Sequence, residues 1–376
     1  MASRDVLKKF ELAFRGFLMR ILGGLVHRRR IPVPENLDFN RSKVLFIRQD
    51  RIGDVLVSTP LFSSLKRKYP GMRIDVLLSR NNFFVLDRDT TVSKRWVYTK
   101  ELLSTIRVLR GIRAEHYDFV VDLMDNPSAT STVAMLLSGG KWNVGLEKEN
   151  AFAYDIVVPM LSRRESHIVD RLAKLLEAFG MKANSGDLRI RYSVSEEAER
   201  TVDQFLANRE KHLPIVGVNI SAGNDARFWG IDNYRNLLGL LMQHRPNVQV
   251  LVLSKPSDRS RAKEIIAEHS KVMMAPETSF DEFAAFISRV QLLLTPDTSA
   301  VHIAAAFGIP SVILYVQSDS NLRIWEPFNT DCEAIIAKVD DLSTITVQDV
   351  FDAFIRLQAR LIPQNISRTQ TSHQRA

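Results

Sequence analysis

Short apolar runs alternate with longer stretches in which apolar residues recur every three or four positions, and this predicts strands and helices in turn. Residues 44–48, 73–78 and 119–123 read as strands, with helices over 59–68 and about 101–110 between them. A helix over 165–180 is stopped by Gly180, and a charged helix follows over 196–209. A second series begins with a strand at 215–220 and continues with a helix at 233–244, a strand at 248–253, and helices at 260–269 and 280–289. It ends in a strand–helix–strand unit over 290–316, and a last helix spans 347–361. Strands that alternate with helices imply parallel sheets covered on both faces, so the pattern predicts an α/β chain with two doubly wound units.

The unit at 290–316 carries the first candidate chemistry. A strand at 290–294 leads to Pro296-Asp297-Thr298-Ser299, then to a small-residue helix at 301–307 stopped by Gly308 and Pro310, then to a strand at 311–316. Asp297 is expected to cap that helix, its carboxylate accepting from the amide of Ser299 or Ala300. A helix that starts at the carboxyl end of a parallel strand faces the crevice where open α/β sheets bind ligands. Its free amides and dipole favour an anion such as a diphosphate, and His302, one turn in, can face the same pocket. The bland alternative is a capped helix with an interior histidine, and this segment leaves both readings open.

Two more clusters follow the first strand of each series. After 44–48 comes Gln49-Asp50-Arg51-Ile52-Gly53-Asp54, where Gly53 is expected to permit a tight turn and Asp54 to open a helix. Asp54 is either a cap or a general base, and Arg48 and Arg51 are candidates to bind an anionic acceptor. After 215–220 comes Ser221-Ala222-Gly223, which suits a loop approached by phosphate, then Arg227, a fixed charge for a diphosphate, and Trp229, a structural anchor. Neither G-x-G-x-x-G nor a Walker loop is present, which weakens oxidoreductase and NTPase readings.

The chain has 376 residues, enough for two domains, and one cysteine, Cys332, which excludes an internal disulfide and a cysteine-rich metal cluster and fits a reducing compartment. Of the net charge of +8, residues 1–30 supply +6, so the body is nearly neutral and a nucleic-acid partner is not expected. Leu7, Phe10, Phe14, Phe17, Leu18, Ile21, Leu22 and Leu25 form one apolar helical stripe, interrupted by Arg15 and Arg20. Such a segment does not span a bilayer and lacks a signal-peptide pattern; it lies on an anionic membrane surface or packs on the body of the protein. The expected organisation is a basic amphipathic helix over 1–30, domains over 40–205 and 214–345, a helix over 346–362 and a disordered tail over 363–376.

Taken in order, the clusters resemble glycosyltransferase family 9, the heptosyltransferases of lipopolysaccharide core synthesis, over about 43–330. The matches are Ile52-Gly53-Asp54-Val55, Arg227-Phe228-Trp229 where Lys is usual, and Asp297-Thr298-Ser299-Ala300-Val301-His302 followed by Ala-Ala and Gly-x-Pro. Tyr117-Asp118 to Asp122-Leu123 and Trp325-Glu326-Pro327 also resemble family segments. The resemblance implies a GT-B fold, two Rossmann-like domains facing across a cleft. It implies inverting transfer of a heptose or related sugar from a nucleotide sugar, typically ADP-heptose, to a lipid-linked glycan, without a cofactor or catalytic metal. Asp54 would be the base; Ser221, Gly223, Arg227, Asp297, Thr298, Ser299, Ala300 and His302 would hold the donor. It implies a cytoplasmic enzyme at the inner membrane, contacting the membrane through residues 4–30. Ser299 replaces the family's glycine and Arg227 its lysine, which leaves another nucleotide sugar, or a non-catalytic nucleotide-binding or scaffold role, as alternatives. Asp87-Arg88-Asp89 has the Asp-x-Asp form of metal-dependent transferases but lies outside their context and is read as incidental.

Overall fold

A computed structural model describes residues 20–24, 26, 35–99, 101–207, 209–210, 212–317 and 325–372, with side chains through residue 361. The membrane-contact expectation for residues 4–30 falls almost wholly outside the described residues. Among those described, no helix is long and apolar enough to cross a membrane.

The chain divides into two compact units between Leu188 and Arg189. The first holds β1 (Lys43–Ile47), β2 (Arg73–Ser79), β3 (Lys94–Tyr98), β4 (Phe119–Asp122), β5 (Trp142–Leu146) and β6 (Ile156–Val158), all parallel, in the order β3-β2-β1-β4-β5-β6. The second holds β7 (Ile215–Asn219), β8 (Gln249–Leu253), β9 (Met273–Met274), β10 (Leu292–Pro296), β11 (Ser311–Tyr315) and β12 (Cys332–Ile336). These are also parallel, in the order β12-β11-β10-β7-β8-β9. Counted from each unit's own first strand, the two orders are the same Rossmann order.

The strand sequences explain this burial. Val44, Leu45 and Ile47 are fully buried without alternation, as expected of strands covered on both faces. In the first unit Leu45, Ile47, Leu77 and Val120 pack with Tyr117, Met135 and Tyr154. In the second, Val218, Val250, Leu294 and Val312 pack with Leu237, Leu241 and Phe354. Trp229 is buried as an anchor, its Nε1–H donating to the Ile345 carbonyl at 2.8 Å and its ring meeting Tyr234 edge-on.

Several expected boundaries move. The helix Glu196–Phe205 belongs to the second unit, not to a first domain ending at 205. Phe205 packs edge-on against Phe286, and Arg289 pairs with Asp203 at 2.8 Å. The 165–180 segment is an α-helix only over Ile168–Ala173 and tightens to 3-10 geometry over Lys174–Phe179 before Gly180. The last helix spans Val347–Ser372, past the expected end at 362 and across Pro363.

The stop at Gly308 is as expected. Its φ of 67° is left-handed, and its N–H closes the helix Ser299–Phe307 on the carbonyls of Ala304 and Ala305. Gly308→Ala is expected to cost about 1–2 kcal/mol, the penalty for placing a Cβ in that region, measured as a lower urea midpoint with an unchanged slope.

Candidate functional site

In the first unit the strand order reverses between β1 and β4, and it is at the carboxyl ends beside such a reversal that open α/β sheets bind ligands. The chain leaving β1 is built around Arg48. Its side chain is fully buried; its Nε–H donates to the Asp54 carbonyl at 2.8 Å, and its Nη1–H donates to the Leu123 carbonyl beyond β4. Nη1 also lies 3.2 Å from Asp50 Oδ2, and Nη2 lies 3.3 Å from Asp54 Oδ1. Arg48 therefore does not present a charge to an acceptor, contrary to the sequence expectation. It clamps the ends of two strands and orients two carboxylates.

Asp54 is the third residue of the helix Ile52–Leu56, and its Oδ2 accepts the Arg51 N–H at 3.1 Å. The capping reading is thus realised, while the side chain stays 10% exposed. Gly53 lies inside this helix and is not among the positive-φ glycines, so it makes no left-handed turn there. Arg51 is exposed at the helix start and remains the cation available at this edge.

Asp50 was not singled out from sequence. Burial pushes its carboxyl up to about 6, opposed by Arg48 and aided by the negative charges of Asp54 and Asp122. Its Oδ1 is buried with no hydrogen-bond partner among the described residues. Its environment was hidden in the sequence because the leading cause is burial, which a local run of residues does not reveal; Arg48 and Asp54 are near in sequence, and Asp122 at the end of β4 adds least. Asp122, the last residue of β4, is itself enclosed. It pairs with Lys148 at 3.0 Å and accepts from the Tyr154 hydroxyl at 2.6 Å, which raises the tyrosine's ionisation well above the ordinary range after burial has done so first.

In the second unit the strand order reverses between β7 and β10, and the third sequence cluster meets the 297–302 segment there. Arg227 closes a 3-10 turn, Asp225–Arg227, whose start is fixed by the Asn224 side chain accepting the Arg227 N–H. From that turn its Nη1 reaches Asp297 Oδ2 at 3.0 Å. The cap of the helix Ser299–Phe307 is Thr298, not Asp297: Thr298 Oγ1 accepts the Ala300 N–H at 3.3 Å. Asp297 sits one residue too early for the cap and pairs with Arg227 instead. The Ala300 amide is therefore committed to the cap, and Ser299 heads the helix at its positive end.

Ser221 is also engaged inward. Its N–H donates to Asn219 Oδ1 at 3.1 Å, and its hydroxyl oxygen accepts the Lys255 N–H at 2.7 Å. It braces the loop rather than offering its amide. Gly223 is different, because a Cβ added there would meet nothing within 4 Å, so this stretch of backbone is open to close approach. His302 is 3% exposed and lies 6.1 Å from the Trp325 ring, between centroids. Asp87 pairs with Arg95, and Asp89 accepts the Thr91 N–H at 2.8 Å, so the Asp-x-Asp segment has local structural partners. Among the described residues no group of three or more His, Cys, Asp or Glu side chains is placed to hold a metal ion.

Two Rossmann-like units in one chain are the architecture of the GT-B class of glycosyltransferase folds, which the solved heptosyltransferases similar to this chain share. The profile of glycosyltransferase family 9 (heptosyltransferase) matches residues 105–353, and the chain belongs to that family and is a glycosyltransferase. It is 24% identical over 294 residues to lipopolysaccharide heptosyltransferase 3 of Escherichia coli K12, covering 73% of this chain and 82% of that protein. Among solved structures, it resembles a family 9 glycosyl transferase from Veillonella parvula with a TM-score of 0.73 and 18% identity, over 86% of this chain and 99% of that one. It also resembles the E. coli heptosyltransferase WaaC with ADP-2-deoxy-2-fluoro heptose, with a TM-score of 0.66 and 18% identity, over 84% and 99% of the two chains.

Arg48→Met removes the donor shared by the Asp50 and Asp54 carboxylates and the Leu123 carbonyl. It is expected to cost about 3–5 kcal/mol, read from urea unfolding. The raised Asp50 carboxyl means the folded chain holds a proton that the unfolded chain releases nearer pH 4. Its contribution to stability is thus full below about pH 4 and is lost as pH rises through about 6. Wild type is expected to lose stability relative to Asp50→Asn across that window, seen as converging or crossing melting temperatures in a pH series.

Proposed function

We propose that this glycosyltransferase transfers a heptose, with inversion, from ADP-heptose to a lipid-linked acceptor of the lipopolysaccharide-core type. The observation that carries the reading is the Arg227–Asp297 pair at the start of the helix Ser299–Phe307, at the second sheet's switch point. A nucleoside diphosphate needs a cation and helix amides at this position. Arg227 exchanges one oxyanion partner, Asp297, for another, the diphosphate. Ser299 supplies its amide, and open Gly223 admits the phosphates. Asp297 holds the guanidinium in place until the donor arrives, and His302 lies buried one turn into the same helix. The names of the relatives support heptose as the sugar and ADP as the carrier.

The acceptor hydroxyl attacks the anomeric carbon, its proton passes to Asp54, the carbon–oxygen bond to the diphosphate breaks, and ADP leaves with the electron pair. Attack opposite the leaving group inverts the anomeric centre. Arg48 keeps Asp54 aimed, and Arg51 meets negative charge on the acceptor. Arg227 and the helix start stabilise the charge that grows on the leaving diphosphate. The basic segment 4–30 contributes attraction to the anionic cytoplasmic face of the inner membrane, where such acceptors are assembled.

The test is acceptor-dependent ADP release from ADP-heptose, using wild type, Asp54→Asn and Arg227→Ala. Asparagine retains an oxygen to cap Arg51 but sets its amide N–H groups against Arg48, so a melting curve checks the fold while proton uptake is lost. Turnover is expected to fall about 100-fold or more, with ADP affinity unchanged. Arg227→Ala is expected to weaken ADP binding itself, measured by calorimetry. ADP binding without turnover on any acceptor favours another donor sugar or a non-catalytic role, and equal turnover in Asp54→Asn removes the base assignment.

A further inference from the structure

The helix Leu102–Ala114 joins β3 to β4 and starts at the same edge of the sheet as Asp54. Its inner face, Thr105, Val108 and Leu109, borders an apolar cavity of about 250 Å³, and Ile112 is fully buried. Its outer face is unusual for a surface helix. Leu102 and Leu103 are 73% and 77% exposed, and Ile106 is 38% exposed. At helical spacing this stripe continues into Arg107, Arg110 and Arg113, also exposed. No acidic residue lies between Leu102 and Ala114. Glu115, just beyond, is already engaged by Arg73 and Lys94.

Among the described residues, no ion pair engages Arg107, Arg110 or Arg113, and Leu102 and Leu103 stand exposed. Leucines on the first turn next to arginines on the later turns, with the N-cap Glu101 paired to Arg80 at 3.5 Å, match an apolar layer bounded by anionic headgroups. The net charge of +6 on residues 1–30 opposes their packing over these arginines. We infer that the helix Leu102–Ala114 docks the first unit on an anionic lipid bilayer, with its leucines among the acyl chains and its arginines among the headgroup phosphates. This places the Asp54 edge of the sheet toward the lipid surface from which a lipid-borne acceptor is presented, and to that extent it rests on the reading of the acceptor above.

The test puts an environment-sensitive fluorophore on Leu103→Cys in a full-length Cys332→Ser chain, with a second chain labelled at Lys271→Cys on the other unit as control. Vesicles of phosphatidylglycerol and phosphatidylcholine are compared with phosphatidylcholine alone. The expected result is a blue shift at position 103 with anionic vesicles, reduced by high salt and absent at 271. Arg107→Gln/Arg110→Gln/Arg113→Gln on the 103-labelled chain is expected to raise the lipid concentration needed by roughly 100-fold, from about fivefold per arginine. A chain that sediments with vesicles while position 103 stays unchanged overturns the proposal, since another segment then binds. A chain that does not bind overturns it too. So does a 103 probe already shielded without lipid, which means that the N-terminus or a second copy covers the face. Sugar transfer to a delipidated acceptor with no shift at 103 removes this proposal alone, whereas vesicle docking without transfer to any acceptor removes the acceptor reading and leaves the surface.

Discussion

Every strand pairing in the two sheets is parallel, and a parallel pair cannot be closed by a tight turn. Each connection must cross a face of the sheet, usually as a helix, and return to start the next strand. The carboxyl ends therefore all open on one edge, and the loops that leave them are relieved of the ladder. Where the strand order reverses, neighbouring loops part and leave a crevice. The strand order reverses at β1/β4 and at β7/β10, and Asp54 and Arg227 stand at those two positions.

The two edges solve different electrostatic problems. The first must keep Asp50, Asp54 and Asp122 near one another without mutual repulsion opening the loops. It does so with one fully enclosed guanidinium, Arg48, and one nearly enclosed ammonium, Lys148. Asp50 carries the residual cost, and burial keeps its proton on to about pH 6. The second edge, under the donor role proposed above, has to hold a cation ready for an anion that comes and goes. Arg227 is half-buried and paired with the equally half-buried Asp297, a contact weak enough to exchange.

The positions of the strands were legible because a covered parallel strand is a bare apolar run, as in Val44 to Ile47 and Leu292 to Leu294. Gly308 and Gly180 were legible because few residues other than glycine end a helix in the left-handed region. β3, β5, β6, β9 and β12 were not foreseen. β3 and β12 are half-exposed outer strands with charged or small residues, such as Lys94-Arg95 and Cys332-Glu333, which dilute the apolar signal. The helix Ala129–Ser138 escaped because its Ala, Ser and Thr content gives little periodicity.

The site was legible as a set of segments and not as a set of roles. Spacing along the chain marked Asp54, Arg227 and 297–302, because loops after strands and starts of helices are local features. It could not tell that Arg48 faces inward, that Asp297 yields the cap to Thr298, or that Ser221 is tied to Lys255. Each of those depends on which strand lies beside which. The sequence by itself determined two α/β units and the stretches that carry their chemistry, because periodicity and capping are short-range. Only the tertiary structure decided which charges are clamps and which stay exposed, because burial and pairing are set by neighbours 30 to 75 residues away.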